Sequence, residues 1–301
     1  MAYHFLVCFD RLNDVPDRSA GPSEGNGAID PRTLPVTASP DLHALETALA
    51  ARDEHAVRVT VIALGPPRSC QALREALYRG ADRAILVTDP RSSGADSLAT
   101  AYVIACAVRK LAPDVVVFAA RSVYGDTEHV GVQVAEKTGL TPVTRVDRPI
   151  EIDGNRIVAR RDTGAGWELV SAGTPVLLTV MDTANTPRPP AMKRMMKYKK
   201  AMSRPELEDT IVREIPGIAG SSLAAEFQRR LLALEKRGLS IETWSLDDIG
   251  ADPSKCGSAG SPTRVEQVQS FALSGGGSRR FENSDEGLAR LVAELLRDHT
   301  I

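Results

Sequence analysis

The sequence carries no excess of either charge: 37 lysines and arginines stand against 39 acidic residues, a net charge of -2 over 301 residues. No global field draws the chain to nucleic acid or to an anionic membrane, so a nucleic-acid role is disfavoured. A long apolar run is also missing. The opening Met-Ala-Tyr-His-Phe-Leu-Val-Cys-Phe-Asp has no basic stretch before an apolar run far too short for a secretory leader or a membrane span. A cytoplasmic protein without membrane insertion is expected. Cysteine is scarce, with Cys8, Cys70, Cys106 and Cys256 far apart and no CxxC spacing, which argues against zinc, an iron–sulfur cluster or a disulfide framework. Buried, inert thiols are the expectation. His4, His43, His55, His129 and His299 form no HxH or HExxH pair, so no metal site is read here. Walker and GxGxxG patterns are absent, as are Ser/His/Asp and Cys/His constellations. A P-loop NTPase, an ordinary dinucleotide dehydrogenase and a hydrolase are thereby disfavoured.

What the chain does have is 43% hydrophobic residues, enough for a substantial core, in an alternating rhythm. Tyr3 to Phe9 reads as a strand, and Asp10 to Thr37, rich in Gly, Pro, Asp and Ser, reads as a long loop. Ser39-Pro40-Asp41 opens a helix with the face Leu42, Leu45, Ala48 and Leu49. Ala56 to Leu64 is a β-branched strand running into Gly65-Pro66-Pro67, and the next helix, faced by Leu73, Ala76 and Leu77, ends at Gly80. Arg83 to Thr88 is a strand, and the helix from Thr100 to Leu111 is apolar nearly all round, which predicts a central, buried position. Asp114 to Ala120 is a fourth strand. Four strands alternating with helices give a doubly wound α/β fold, a parallel sheet covered on both faces. Its ligand crevice is expected beyond the carboxyl ends of the strands, where strand order reverses. The loop after Phe9, Leu64-Gly65-Pro66 and Ala119 to Asp126 all fall on that edge.

The stretch Val123-Tyr-Gly-Asp-Thr-Glu-His-Val-Gly131 joins the fourth strand to a helix whose apolar residues are Val130, Val132, Val134 and Ala135. Asp126 and Thr127 are good N-cap types, and Gly125 lets the chain turn without Cβ strain. Free amides at the positive end of a helix dipole form an anion site that a phosphate fits. By pattern alone the same residues describe a well-capped helix with no ligand.

From Pro142 the rhythm turns to β: Val146 to Ile152, a turn at Asp153-Gly154-Asn155, Arg156 to Arg161, Trp167 to Val170 and Val176 to Val180. Pro187 to Lys200 is basic and carries Met192, Met195 and Met196, with neither helical nor strand alternation. It reads either as a solvated basic segment or as a docking arm whose flexible thioethers adapt to a partner. Leu223 to Leu239 is an amphipathic helix, and Asn283 to His299 is another, opened by a capping box at Asn283 and Glu286. Between them, Ile249 to Val265 has too little apolar content for a core of its own and reads as a Gly/Ser linker. Such an arm is expected to order only on a partner, leaving the chain poorly behaved alone.

Several of these stretches together carry a resemblance. Gly125-Asp126-Thr127, Val130-Gly131, Ala135-Glu136 and Gly139 to Thr144 resemble the phosphate loop of the electron transfer flavoprotein beta subunit family. Val158 to Asp162, Glu168-Leu-Val170, Pro175 to Thr179 and Asn185-Thr-Pro-Arg188 reproduce the order and spacing of that family's signature. Gly260-Ser-Pro-Thr263 resembles its C-terminal arm, which reaches across to the alpha subunit. Where the family has Asp, Ala and Gln in the loop, this chain has Tyr124, Glu128 and His129, and Glu128 would repel a phosphate unless it points away.

The resemblance implies an adenine-nucleotide-binding, HUP/Rossmann-like fold with an added β-hairpin region and an extended C-terminal arm. It divides the chain into a nucleotide-binding domain at 1–183, a basic partner-recognition loop at 184–203, and an arm with helices contacting the alpha subunit at 204–301. It implies an electron carrier rather than an enzyme, paired with the alpha subunit and served by a flavin dehydrogenase such as an acyl-CoA dehydrogenase. One FAD is shared with the alpha subunit, and a second nucleotide sits in this chain: AMP in simple carriers, another FAD in electron-bifurcating ones that also oxidise NADH. The cofactor-binding residues implied are Cys8, Phe9, Ser39, Leu64, Gly65, Ala119, Gly125, Asp126, Thr127, Glu128, His129, Val130 and Gly131. Those implied for partner docking are Met192, Lys193, Met195, Met196 and Lys197, with Met192 aligned to the family's anchoring leucine. The rival reading is a stand-alone nucleotide-binding sensor on the same scaffold, which would need neither the basic arm nor the tail.

Overall fold

A computed structural model describes residues 3–9, 39–121, 128–263 and 280–297. The chain divides into a large unit, Met1–Thr263, and a small one, Arg264–Ile301. In the large unit the sequence's alternation becomes β1 (Tyr3–Phe9), α1 (Ser39–Glu54), β2 (Val57–Leu64), α2 (Cys70–Arg79), β3 (Arg83–Val87), α3 (Ser97–Leu111), β4 (Val115–Ala119) and α4 (Val130–Thr138). Then follow β5 (Thr141–Val146), β6 (Glu151–Asp153), β7 (Arg156–Asp162), β8 (Trp167–Gly173), β9 (Val176–Val180), α5 (Met192–Tyr198), α6 (Arg204–Glu214), α7 (Gly220–Lys236) and β10 (Glu242–Trp244). The expected loop over Asp10 to Thr37 lies outside the described residues.

The ten strands found among the described residues make one sheet in the order β10-β3-β2-β1-β4-β9-β5-β7-β6, with β8 paired to β7. From β10 to β5 every pairing is parallel. The period-2 alternation of each strand splits the core into two layers. Phe5, Val7 and Phe9 of β1 pack with α1 and α2, whereas Leu6 and Cys8 pack with the helices of the opposite face. Both faces are therefore apolar, which is why these strands read as unbroken hydrophobic runs. The helix α3 is buried over Ala99 to Val108 nearly without interruption, as its sequence implies.

Several local expectations change. The strand read over Val146 to Ile152 is broken: β5 ends at Val146 and β6 begins at Glu151. Pro149 has no N–H for a ladder, and the Asp147 carboxylate is taken by the Arg160 guanidinium at 2.7 Å. The Met-rich segment forms the helix α5. Helix α6, which the apolar pattern did not reveal, starts on a capping box of Ser203 and Glu206. In the small unit, α8 (Asp285–Arg297) is capped by Ser284, whose Oγ accepts the Gly287 N–H at 3.1 Å, and not by Asn283.

The largest correction concerns the tail. β10 extends the parallel sheet beyond β3, and Ile249, Ala251 and Cys256 behind it are buried in the α3 face of the core. The stretch as far as Thr263 therefore belongs with the sheet and packs into its core. Glycine permits this rather than making a linker: Gly257 has φ +56°, and a Cβ there would strike the Arg91 carbonyl. The loop after β3 clamps the tail. Asp89 accepts the Leu246 N–H at 3.2 Å, Asp96 accepts the Thr263 N–H at 3.1 Å, and Ser93 O accepts the Ser258 N–H at 2.9 Å.

Hydrogen bonds from the Arg91 side chain hold the Asp89 carboxyl down at about 2, against 3.8 when free. A depressed carboxyl pKa stabilises the fold above the free value, and that contribution is lost as the pH falls from 3.8 toward 2. The variant Asp89→Asn is expected to flatten this acid limb and to raise amide exchange across Leu246 to Cys256 while β1 stays protected. Unchanged exchange in that segment would sink the clamp.

Candidate functional site

Strand order reverses between β1 and β4, because β1 leads through α1 to β2 on one side while β3 leads through α3 to β4 on the other. The register lines up the carboxyl ends: Phe9 opposite Ala63, Leu64 opposite Val87, and Ala119 opposite Val180, which also pairs with Val146. Phe9, Leu64, Gly65 and Ala119 are thus brought to one edge. Their side chains differ in what they can do. Cys8, Phe9 and Leu64 are at most 1% exposed and belong to the core, so they can offer a ligand only backbone atoms. Gly65 is half-buried and spends its N–H on Val87 O. Ala119 is half-buried at the end of β4, and Ser39 is the first residue of α1.

Gly125, Asp126 and Thr127 lie outside the described residues. Helix α4 nevertheless begins only at Val130, with His129 at its N-cap position and no side-chain cap bond. The capping role read for Asp126 and Thr127 falls with them outside the described residues. A Cβ on Gly131 would lie 3.2 Å from Phe118 Cγ and from Thr179 Cγ2, so only glycine lets α4 sit this close to β4 and β9. Val130 is half-buried against the same core.

Thr179 connects this packing to a residue the sequence reading missed. Its buried hydroxyl accepts the Arg145 N–H at 2.9 Å, at a β-bulge between Val143 and Val146 of β5. Arg145 has φ +58°, a left-handed conformation that costs a residue with a Cβ about 1–2 kcal/mol. The Arg145 guanidinium bonds Asp162 Oδ2 at 2.7 Å and lies 3.8 Å from Glu128 Oε2, while Arg121 Nε lies 3.5 Å from Glu128 Oε1. Glu128 and His129 are exposed at this edge. No local signal in the sequence marks Arg145, since a bulge is a property of two strands in register.

The residues read for partner docking lie elsewhere, on α5. Its inner side is fixed to α2: Arg194 donates to the carbonyls of Leu77 and Ala81, and the Ala191 N–H bonds Tyr78 O at 3.0 Å. Met192 and Met196, one turn apart, are 70% and 57% exposed, with Lys193 and Lys197 exposed beside them. Met195 is half-buried. The lead-in is held equally firmly, as Arg188 forks onto Glu46 Oε1 at 2.8 Å and Asp53 Oδ2 at 2.7 Å, and Asn185 Nδ2 bonds Thr47 Oγ1 at 2.9 Å.

All four cysteines are buried, and burial pushes the Cys70 and Cys256 thiols up to about 12 and about 11. Neither of these two is poised as a thiolate. Among the described residues no helix is long and apolar enough to cross a membrane.

The electron transfer flavoprotein domain model matches residues 37–209, a span that includes the β4 edge, the bulge and α5. A subunit beta of electron transfer flavoprotein from Clostridium acetobutylicum is 32% identical over 99% of this chain and 100% of its own length. Protein FixA of Azorhizobium caulinodans is 33% identical over 88% of this chain and 83% of its own. Subunit CarD of the caffeyl-CoA reductase-Etf complex of Acetobacterium woodii is 29% identical over 98% and 99%. The matched span thus holds the sheet edge and the mount of α5, the similarity runs the length of the chain, and the chain belongs to the electron transfer flavoprotein beta subunit family.

Proposed function

We propose that this chain pairs with an electron transfer flavoprotein alpha subunit, shares one FAD with it, and holds a second nucleotide, AMP or FAD, at the carboxyl edge of its own sheet. The heterodimer passes electrons between a flavin dehydrogenase, such as an acyl-CoA dehydrogenase, and an acceptor, as a simple carrier or in a bifurcating complex that oxidises NADH. It is a carrier and not an enzyme by itself. The observation that carries this reading is the reversal of strand order at β1 and β4 beside an edge that bears Arg121, His129 and Arg145.

These residues fit a nucleotide. Guanidiniums stand where a phosphate would lie, and Gln133 in the first turn of α4 buries its Oε1 with no hydrogen-bond partner, an acceptor that a ligand's N–H or O–H would satisfy. When bound, flavin supplies the electron chemistry, and the chain's own residues supply position and charge. Gly131 keeps α4 against the sheet, Thr179 fixes Arg145, and the buried strand ends present backbone groups. The relative from Acetobacterium woodii is named as part of a reductase complex, which supports a dehydrogenase-type partner. Mass analysis and counting of the nucleotides released from the chain purified with its alpha subunit test the proposal. Flavin in the complex, with a second adenine nucleotide retained, is expected; ATP alone and no flavin would favour the sensor.

Docking falls to α5 in this reading. Met192 is a thioether exposed among cations, a form suited to an anchor whose charged rim steers an acidic partner. Met192→Ala is expected to slow partner-limited electron transfer by about 5–30-fold, the usual range for losing an interface anchor. Its melting temperature should not move, because truncating a core Met would cost ~2–5 kcal/mol and this side chain is 70% exposed. Turnover equal to the parent at limiting partner defeats the assignment.

A further inference from the structure

Glu128 is the residue at this edge that does not suit a phosphate site, yet it is enclosed by two guanidiniums. Each carboxylate oxygen addresses one of them: Oε1 faces Arg121 at 3.5 Å and Oε2 faces Arg145 at 3.8 Å. Two oxygens of a phosphate reproduce that bridging geometry. Both separations exceed hydrogen-bond length, whereas the contact of Arg145 with Asp162 is 2.7 Å, and the Glu128 side chain is 42% exposed. The carboxylate is therefore the loosely held member of the cluster. Glu128 supplies one of the two carboxylates on the Arg145 guanidinium, and Asp162 supplies the other. With Glu128 swung into solvent, the Arg145 guanidinium keeps only Asp162 of the two carboxylates.

The backbone points the same way. Arg145 sits at a bulge, a device that re-aims a side chain, and keeps a left-handed φ of +58° that glycine would adopt without strain. Such strain persists where the surroundings enforce it, and it clusters at ligand clamps. Here the buried Thr179 hydroxyl on the Arg145 N–H and the 2.7 Å bond to Asp162 enforce it.

We propose that Arg145 and Arg121 form the phosphate clamp for the nucleotide at this edge, and that Glu128 is a built-in competitor which occupies the clamp until a phosphate displaces it. This rests on the nucleotide reading given above. It turns an acidic residue beside a phosphate loop from an obstacle into a gate: the ligand must bring more negative charge than the single carboxylate it replaces, so a phosphomonoester or diphosphate is selected over an uncharged nucleoside.

The test is titration calorimetry of nucleotide-free full-length chain with AMP, and with adenosine as the probe lacking the phosphate. Arg145→Gln is expected to weaken AMP by about 10-fold or more, since a charge-assisted bond to the phosphate is lost, and to leave adenosine unchanged. Glu128→Gln is expected to tighten AMP by about 2–5-fold, the range of an exposed ion pair. Arg145→Gly guards against a folding artefact: it relieves the positive φ, so its melting temperature should hold or rise while AMP binding falls. A lowered melting temperature with parallel loss of adenosine would make Arg145 a structural residue and overturn the clamp. AMP affinity equal in the parent and Arg145→Gln overturns it while the nucleotide reading stands, and unchanged affinity in Glu128→Gln overturns the competitor. If the parent binds neither AMP, FAD nor adenosine, the nucleotide reading fails, and pyrophosphate decides the clamp separately: binding abolished in Arg145→Gln keeps it, and no binding ends it.

Discussion

Arg188→Ala is expected to lower the stability of the large unit by about 2–4 kcal/mol, because it strands Glu46, 9% exposed, as an unpaired buried carboxylate. For a unit of this size that corresponds to a fall in melting temperature of roughly 5–10 °C. Four contacts converge on this residue. Its guanidinium bonds Glu46 at 2.8 Å and Asp53 at 2.7 Å, its own N–H bonds Glu46 Oε2 at 3.0 Å, and its carbonyl accepts from Arg79. The pair with Asp53 adds little, being exposed, so the loss comes from Glu46. Lysine keeps the charge without the planar fork, and Arg188→Lys should fall between parent and alanine variant. The Arg188 hydrogen bond lowers the Asp53 pKa below 3.8, so that contribution is complete above 3.8, is lost as pH falls below it, and should vanish in Arg188→Ala. A double cycle with Glu46→Gln should show strong non-additivity. A melting temperature within a degree of the parent would mean that the fork is surface decoration and that α5 is mounted by other contacts.

Gly131→Val is expected to cost about 2–4 kcal/mol and to abolish nucleotide binding, through overpacking compounded by a β-branched side chain in a helix. Alanine separates the opposing effects. Replacing a helical glycine gains up to ~1 kcal/mol of propensity, while forcing a methyl into a filled core costs ~1–3 kcal/mol. The neighbours are Phe118 and Thr179, both nearly buried in central strands, and contact at 3.2 Å is closer than the ordinary 3.4–4 Å. They cannot yield without disturbing the sheet, so α4 must lift instead. Overpacking wins, and Gly131→Ala should be less stable than the parent with weakened AMP binding, since lifting α4 carries its N-terminal turn away from the β4 edge. An alanine variant more stable than the parent would show the contact to be slack.

The sequence was sufficient for whatever depends on neighbours along the chain. Apolar runs with intervening amphipathic stretches gave β1 to β4 and α1 to α3 at nearly their observed bounds, because burial on both faces leaves little choice of residue. The carboxyl edge followed from handedness alone, and four scattered thiols could be read as buried. The order of motifs gave the family. What depends on pairing across the chain was decided only in three dimensions. β9 enters between β4 and β5, and no local pattern says which partner a buried strand selects. The tail read as a linker is core, because its glycines allow close approach to the loop after β3, and close approach is a property of two segments. Helix α5 lacked an amphipathic period because it is held by Arg194 and by the Arg188 lead-in rather than by an apolar stripe. Arg145 is the clearest case. Its positive φ comes from a bulge between β5 and β9, and its place beside Glu128 from α4 resting on Thr179, so only the assembled sheet brings these charges together.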